Sequence, residues 1–243
     1  DLVLKPAFTT DAMHAVERLA AQCADGPAIG IGAPFAEGGR LYNAWWVLQG
    51  GEVTARVLKH HLPNDDVFDE ERVYDTGPIS GPYRVGPLRI GTPICEDAWF
   101  EDVAEALTES RAQVLLVPNG SPYARGKQDV RQSLMVARTV ETGLLLVYLN
   151  LTGGQDDQVF DGASFVLNPH GRLALQMPFL EEALVHVDFE ETVDGWRALE
   201  GDKARLPDAW EADYHVMIAA LRSYLAKSGF RKVLLGLSGG IDS

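Results

Sequence analysis

Gly91-Thr92-Pro93-Ile94-Cys95-Glu96-Asp97-Ala98-Trp99 carries a strand-like run, Leu88 to Ile94, past a cysteine and toward a helix-like stretch near Val103 to Glu109. A thiol at a strand end, facing a helix start, stands where an enzyme keeps a nucleophile. The partial positive charge of a helix N-terminus favours the thiolate there. The same residue also reads as a buried structural cysteine, the commoner use of a free thiol.

The neighbouring segments show what kind of sheet this strand enters. Thr10 and Asp11 look like an N-cap, after which Ala12, Met13, Val16, Leu19, Ala20 and Cys23 recur at helical spacing. Pro27 to Pro34 reads as a buried strand. Tyr42–Leu48 and Val53–Leu58 flank Gly50-Gly51, a hairpin signal, and Lys59 stands just beyond the second run. Val114–Val117 reads as a strand and Asp129–Glu141 as a helix. Leu144–Leu151 is apolar almost throughout, which fits a strand covered on both faces. Ala163–Leu167 and Leu173–Gln176 flank a turn at Asn168-Pro169-His170-Gly171, and Ala183–Val187 closes the set of strands. Charge rises and periodicity fades from Phe189 to Leu206, which predicts a linker. Trp210–Lys227 then reads as a helix and Lys232–Leu237 as a strand. Helices that alternate with strands, some in hairpins, predict an α/β protein with helices layered on mixed sheets.

Composition limits the partners. The 243 residues carry a formal charge of −14, which disfavours a nucleic-acid surface and an anionic membrane. No apolar run approaches the length of a membrane span. Two cysteines, Cys23 and Cys95, make no disulfide framework, and a reducing cytoplasm is expected. No metal site is expected: adjacent His60 and His61 point apart in an extended segment, and His14, His170, His186 and His215 show no ligand spacing. The chain opens on Asp1 rather than Met and closes inside a motif, so it reads as a fragment cut at both ends.

Four blocks agree in order and spacing. Lys59 heads Lys59-His60-His61-Leu62-Pro63-Asn64, with Phe68-Asp69-Glu70 behind it. Ile94-Cys95-Glu96-Asp97 follows, then Asn119-Gly120-Ser121-Pro122-Tyr123 with Gly126-Lys127. Asn150, Gly153-Gly154-Gln155-Asp156 and Phe160-Asp161-Gly162-Ala163-Ser164 complete the series. Together they resemble the nitrilase (carbon–nitrogen hydrolase) superfamily. More narrowly, they resemble the glutaminase domains of glutamine-dependent NAD+ synthetases. Ser238-Gly239-Gly240-Ile241-Asp242-Ser243 is similar to the pyrophosphate-binding loop of N-type ATP pyrophosphatases. It lacks the lysine of a Walker A loop.

The resemblance implies a four-layer α-β-β-α sandwich over residues 1–189 and a linker over 190–209. Residues 210–243 would then begin an ATP-dependent synthetase domain. It implies Cys95 as nucleophile toward the side-chain amide of glutamine and Lys59 as the cation facing the oxyanion. Glu70 would be a supporting acid beside that lysine. Asp65, Glu96, Ser121 and Lys127 would line the substrate pocket, with Trp99 as a wall. Asp65 departs from the tyrosine common in relatives. The general base would be a glutamate upstream of Asp1, since Glu17, Glu37 and Glu52 match no motif. Gly236, Ser238, Gly239, Gly240, Asp242 and Ser243 would serve ATP, with Mg2+, in the synthetase half, and the glutaminase half would need no cofactor. Ammonia would pass to deamido-NAD, and a homo-oligomer is expected. A stand-alone amidase or carbamoylase, and a non-catalytic scaffold, remain alternative readings.

Overall fold

The computed structural model describes residues 2–241. Helix α1 (Pro6–Gln22) begins four residues before the predicted Thr10 cap. Proline fits the first helical position, where an N–H would go unused. Thr9 instead turns its hydroxyl back to the Val3 carbonyl, at 2.8 Å. Strands β1 (Ile29–Glu37), β2 (Arg40–Gln49) and β3 (Glu52–Leu58) form an antiparallel sheet, with the β2–β3 turn at Gly50-Gly51 as read from the sequence.

Strands β4 (Tyr83–Val85), β5 (Leu88–Gly91), β6 (Val114–Asn119) and β7 (Leu145–Asn150) belong to a second sheet. Helix α2 (Glu101–Glu109) joins β5 to β6, and α3 (Lys127–Thr142) joins β6 to β7. β5, β6 and β7 run parallel. The small hairpin β8 (Thr152–Gln155) and β9 (Gln158–Asp161) follows. Next come β10 (Phe165–Asn168) and β11 (Arg172–Gln176), which extend the second sheet to the order β11-β10-β7-β6-β5-β4.

Alternation along β2 and β6 sets the layers. Trp46, Ala44 and Leu48 pack outward on Val16 and Ala20 of α1. Trp45, Val47 and Val57 pack inward beside Ile94 and Leu116 of the second sheet. Leu115 and Val117 face Leu107 of α2 and Met135 of α3. The order is therefore α1, sheet, sheet, α2 with α3, the four-layer α-β-β-α arrangement expected.

Further expectations fail. Pro27–Pro34, read as a buried strand, becomes strand only from Ile29 and has no buried residue in that span. Ala183–Val187 forms no strand, and Leu184 is 89% exposed. Phe189–Leu206 is not a bare linker: β12 (Phe189–Thr192) and β13 (Gly195–Ala198) pair as a hairpin. It buries Ala198 against Val114, Leu145 and Val166. The charge that suggested a linker sits on its outer side, as in the Arg197–Glu190 ion pair. Lys232–Leu237 also forms no strand, since no other strand of the described residues pairs with it. Helix α4 (Ala209–Ser228) forms as predicted, capped by Asp208. Its residues Trp210, Tyr214, Met217, Leu221 and Tyr224 make an exposed apolar stripe. No helix of the described residues is long and apolar enough to cross a membrane.

Candidate active site

Three parallel strands end at one place. Cys95 lies just past β5, Gly120 and Ser121 just past β6, and Asn150 closes β7. Ligand sites of α/β sheets form at such carboxyl ends. Cys95 opens a one-turn 3-10 helix, Cys95–Ala98, with φ of +51°. A side chain in that left-handed region costs about 1–3 kcal/mol, and such strain collects at functional sites. Here it turns the thiol out of the strand and into a cavity of about 710 Å3.

Lys59 reaches the same cavity from the other sheet. Its N–H donates to Asn43 O and its carbonyl accepts from Gly77 N–H, both at 2.9 Å. Gly77 must be glycine for this approach, because a Cβ would lie 2.5 Å from Leu58 Cβ. Lys59 is 2% exposed, so its ammonium needs a partner. Glu70 Oε1 supplies it at 2.7 Å, while Asn43 Nδ2 donates to Glu70 Oε2 at 3.4 Å. Glu70 lines the cavity as well.

Thiolate stabilisation by a helix end, as read from the sequence, is not what dominates. Burial pushes the Cys95 thiol up, and the Glu70 and Glu96 carboxylates add to this. Lys59 and the Gly120 N–H pull it down without prevailing. A one-turn helix carries too small a dipole to reverse the loss of water.

A second, smaller cavity of about 80 Å3 opens beside Cys95. Asp65, Glu96, Ser121, Lys127 and Trp99 line it, so every residue expected to contact substrate meets the sulfur's surroundings. Lys127 stands at the start of α3, with its ammonium 5.8 Å from the centre of the Phe68 ring. Burial raises the Glu96 carboxyl above the usual range, while Lys59, Lys127 and His61 draw it back.

The supports were missed in the sequence. Asp97 is 1% exposed and accepts three backbone N–H groups: His60 at 3.0 Å, His61 at 2.7 Å and Ile94 at 3.0 Å. One carboxylate thereby ties the segment after Lys59 to the segment before Cys95. Arg131, fully buried, holds Asp161 with both carboxylate oxygens at 2.7 and 2.8 Å and donates to the Ser121 and Pro122 carbonyls. Its Nε meets Ser121 Oγ at 3.1 Å. Asn150 accepts from Ser121 N–H and donates to Ser121 O and Asp161 Oδ1. An arginine amid the apolar positions of α3 was the available signal for this network.

His60 and His61 do not point apart. Both N–H groups converge on Asp97 Oδ1, so the backbone turns there instead of extending, and the ring centroids lie 4.8 Å apart.

Residues 9–198 match the model of the carbon-nitrogen hydrolase family. The chain belongs to that family. Residues 214–243 of this carbon-nitrogen hydrolase match the model of NAD synthase. It is 60% identical, over its full length, to a glutamine-dependent NAD(+) synthetase of Rhodobacter capsulatus, covering 44% of that protein. The structure of a glutamine-dependent NAD+ synthetase from Acinetobacter baumannii superposes with a TM-score of 0.90. Identity is 33%, over 100% of this chain and 45% of that one. An amidase mutant from Nesterenkonia sp. AN1, showing covalent addition at its active site cysteine, gives a TM-score of 0.62. Identity there is 27%, over 70% of this chain and 64% of the other. The chain thus spans less than half the length of the synthetases it matches.

Of the loop expected to hold ATP, Gly236, Ser238, Gly239 and Gly240 are exposed, and Gly239 has φ of +82°. Gly240 N–H donates to Ser238 Oγ at 3.3 Å. A serine hydroxyl beside glycine N–H groups suits phosphate oxygens. Asp242 and Ser243 lie outside the described residues.

Proposed function

We propose that this chain carries the glutamine-hydrolysing site of a glutamine-dependent NAD+ synthetase. The observation that carries the reading is the convergence of Cys95, Lys59 and Glu70 on one cavity, with Lys59 held 2.7 Å from Glu70. The charged small cavity beside the sulfur suits the free amino-acid end of the substrate. Glu96 offers an acceptor for the α-ammonium of L-glutamine and Lys127 a donor for its α-carboxylate. Ser121 and Asp65 complete that end.

Cys95 gives its proton to the general base and attacks the side-chain amide carbon as thiolate. The carbonyl oxygen takes the electron pair, and the buried Lys59 ammonium faces the charge that develops. The tetrahedral adduct collapses as that base returns the proton to nitrogen, and ammonia leaves a thioester on Cys95. Water then attacks the thioester carbon, gives up a proton, and releases glutamate and the thiol. On this reading a glutamate of the family's motif, which none of Glu17, Glu37 and Glu52 matches, acts as the general base. Glu70 keeps Lys59 charged and in place.

Ammonia then amidates deamido-NAD in an ATP-dependent half that begins near α4. There Gly236, Ser238, Gly239, Gly240, Asp242 and Ser243 would hold ATP phosphates, with Mg2+ as counter-ion. The match of residues 214–243 to NAD synthase favours this over a stand-alone amidase. The exposed stripe of α4 is the surface on which that half would rest, and a cytoplasmic homo-oligomer is the expected setting.

The test is Cys95→Ala in the longer protein that contains this chain. NAD+ formation from free ammonium should persist while formation from glutamine stops. Equal loss with both nitrogen sources would overturn the proposal.

A further inference from the structure

We propose that His60, His61 and Asp102 form a binding site for one divalent transition-metal ion, of the zinc, cobalt or nickel type. One ligand atom from each side chain lies within 4.8 Å of the other two. The two histidines enter from the turn after β3, and Asp102 from the first turn of α2. The cluster lies outside the lining of the 710 Å3 cavity.

The spacing has a structural cause. Asp97 Oδ1 collects the N–H groups of both histidines, so consecutive side chains stand on one side of the chain. His61 Nε2 lies 2.9 and 3.0 Å from the two Asp102 oxygens. The ring of His61 also rests on Phe100, with centroids 4.4 Å apart, which limits its rotation. His60 Nδ1 lies 2.7 Å from the Gly77 carbonyl. A carbonyl only accepts, so Nδ1 carries the proton and Nε2 keeps its lone pair. That is the outer contact that fixes a metal-binding tautomer.

Two imidazoles and a carboxylate form a donor set for borderline divalent ions, with a fourth position left to water. Metal binding would replace the proton that His61 Nε2 shares with Asp102, and that proton passes to solvent. A bound ion would also fix the turn that follows Lys59.

The test is titration of the intact chain with CoCl2, read by visible absorption, and with ZnCl2, read by calorimetry. Wild type and Cys95→Ser should both bind one ion through this site, because the ligands exclude sulfur. Removing an outer partner of a metal ligand weakens binding about 10–100-fold, so His61→Ala and Asp102→Asn should each lose about 100-fold or more. Asp102→Asn keeps the shape of the surface, and circular dichroism shows whether each variant folds. No binding by wild type would overturn the proposal. So would equal affinity in folded His61→Ala or Asp102→Asn, or binding that disappears with the Cys95 sulfur.

Discussion

Replacing Asp97 by asparagine preserves volume and removes one acceptor oxygen from the clamp between Lys59 and Cys95. Oδ1 takes the His60 and His61 N–H groups, and Oδ2 takes Ile94 N–H. The less costly asparagine orientation keeps its oxygen on the two histidines and turns its NH2 toward Ile94 N–H. One buried donor then lacks an acceptor, at about 1–3 kcal/mol, and two charge-assisted bonds become neutral, at about 1 kcal/mol each. The raw loss is about 3–5 kcal/mol.

An opposing effect reduces it. Burial holds the Asp97 carboxyl above its usual range, despite the three N–H donors and Lys59. A group whose pKa rises on folding gives stability fully present below its unfolded pKa and lost as pH climbs through the folded one. At neutral pH the ionised Asp97 therefore weighs against the fold, and asparagine escapes that burden. The expected net loss therefore falls below the raw figure of about 3–5 kcal/mol. Positioning has no such offset. A displacement of about 1 Å between reacting groups can lower a rate about 100-fold. Urea unfolding gives the first quantity, and ammonia release from glutamine by the longer protein gives the second. A stability loss above about 5 kcal/mol, or ammonia release unchanged, refutes the reasoning.

Other consequences follow from the same geometry. Iodoacetamide should alkylate Cys95 increasingly as pH passes above the ordinary thiol range, because burial raises its pKa. In Lys59→Met that curve should move to still higher pH, since Lys59 is the largest influence pulling the thiol down; mass spectrometry of the labelled peptide reads both. Arg131→Met strands Asp161 among buried groups, and breaking a buried pair costs about 3–5 kcal/mol, measurable as a lower urea midpoint at unchanged m-value.

How much of this was legible depends on how local the cause is. Cys95, Lys59 and Glu70 were legible through the likeness of their short blocks to the family's, and folding places all three on one cavity. The four layers came from the resemblance: Ala44–Leu48 of β2 and Val114–Val117 of β6 are apolar throughout, and only the fold shows which side chains face which core. Asp97 was hidden because its partners are backbone N–H groups, two of them 36 and 37 residues away, and these leave no mark on sequence. The turn at His60-His61 was misread for the same reason. Phe189–Ala198 looked like a linker because its outward charges outnumber the few side chains, such as Ala198, that it buries. Lys232–Leu237 has the composition of a strand, but a strand needs a neighbour's hydrogen bonds as well as propensity.

Helix α4 joins by contact what composition divides at residue 210. Ser223 Oγ accepts from Gly154 N–H at 3.1 Å, and Lys227 Nζ donates to Gly154 O at 2.6 Å. A Cβ on Gly154 would lie 2.7 Å from Ser223 Cβ, so glycine permits this seat. Asp213 accepts from the Tyr123 hydroxyl at 2.7 Å and pairs with Arg125. β8 starts at Thr152, on the large cavity, and Tyr123 lies two residues beyond Ser121, on the small one. Asp213, Ser223 and Lys227 thus grip chain leading into both cavities, while the apolar stripe beside them on the helix is exposed. An α-helix is only about 10–12 Å across. A body resting on that stripe would stand within one helix diameter of the segments that shape the thiol's surroundings, and any tilt it imposed on α4 would act on them directly.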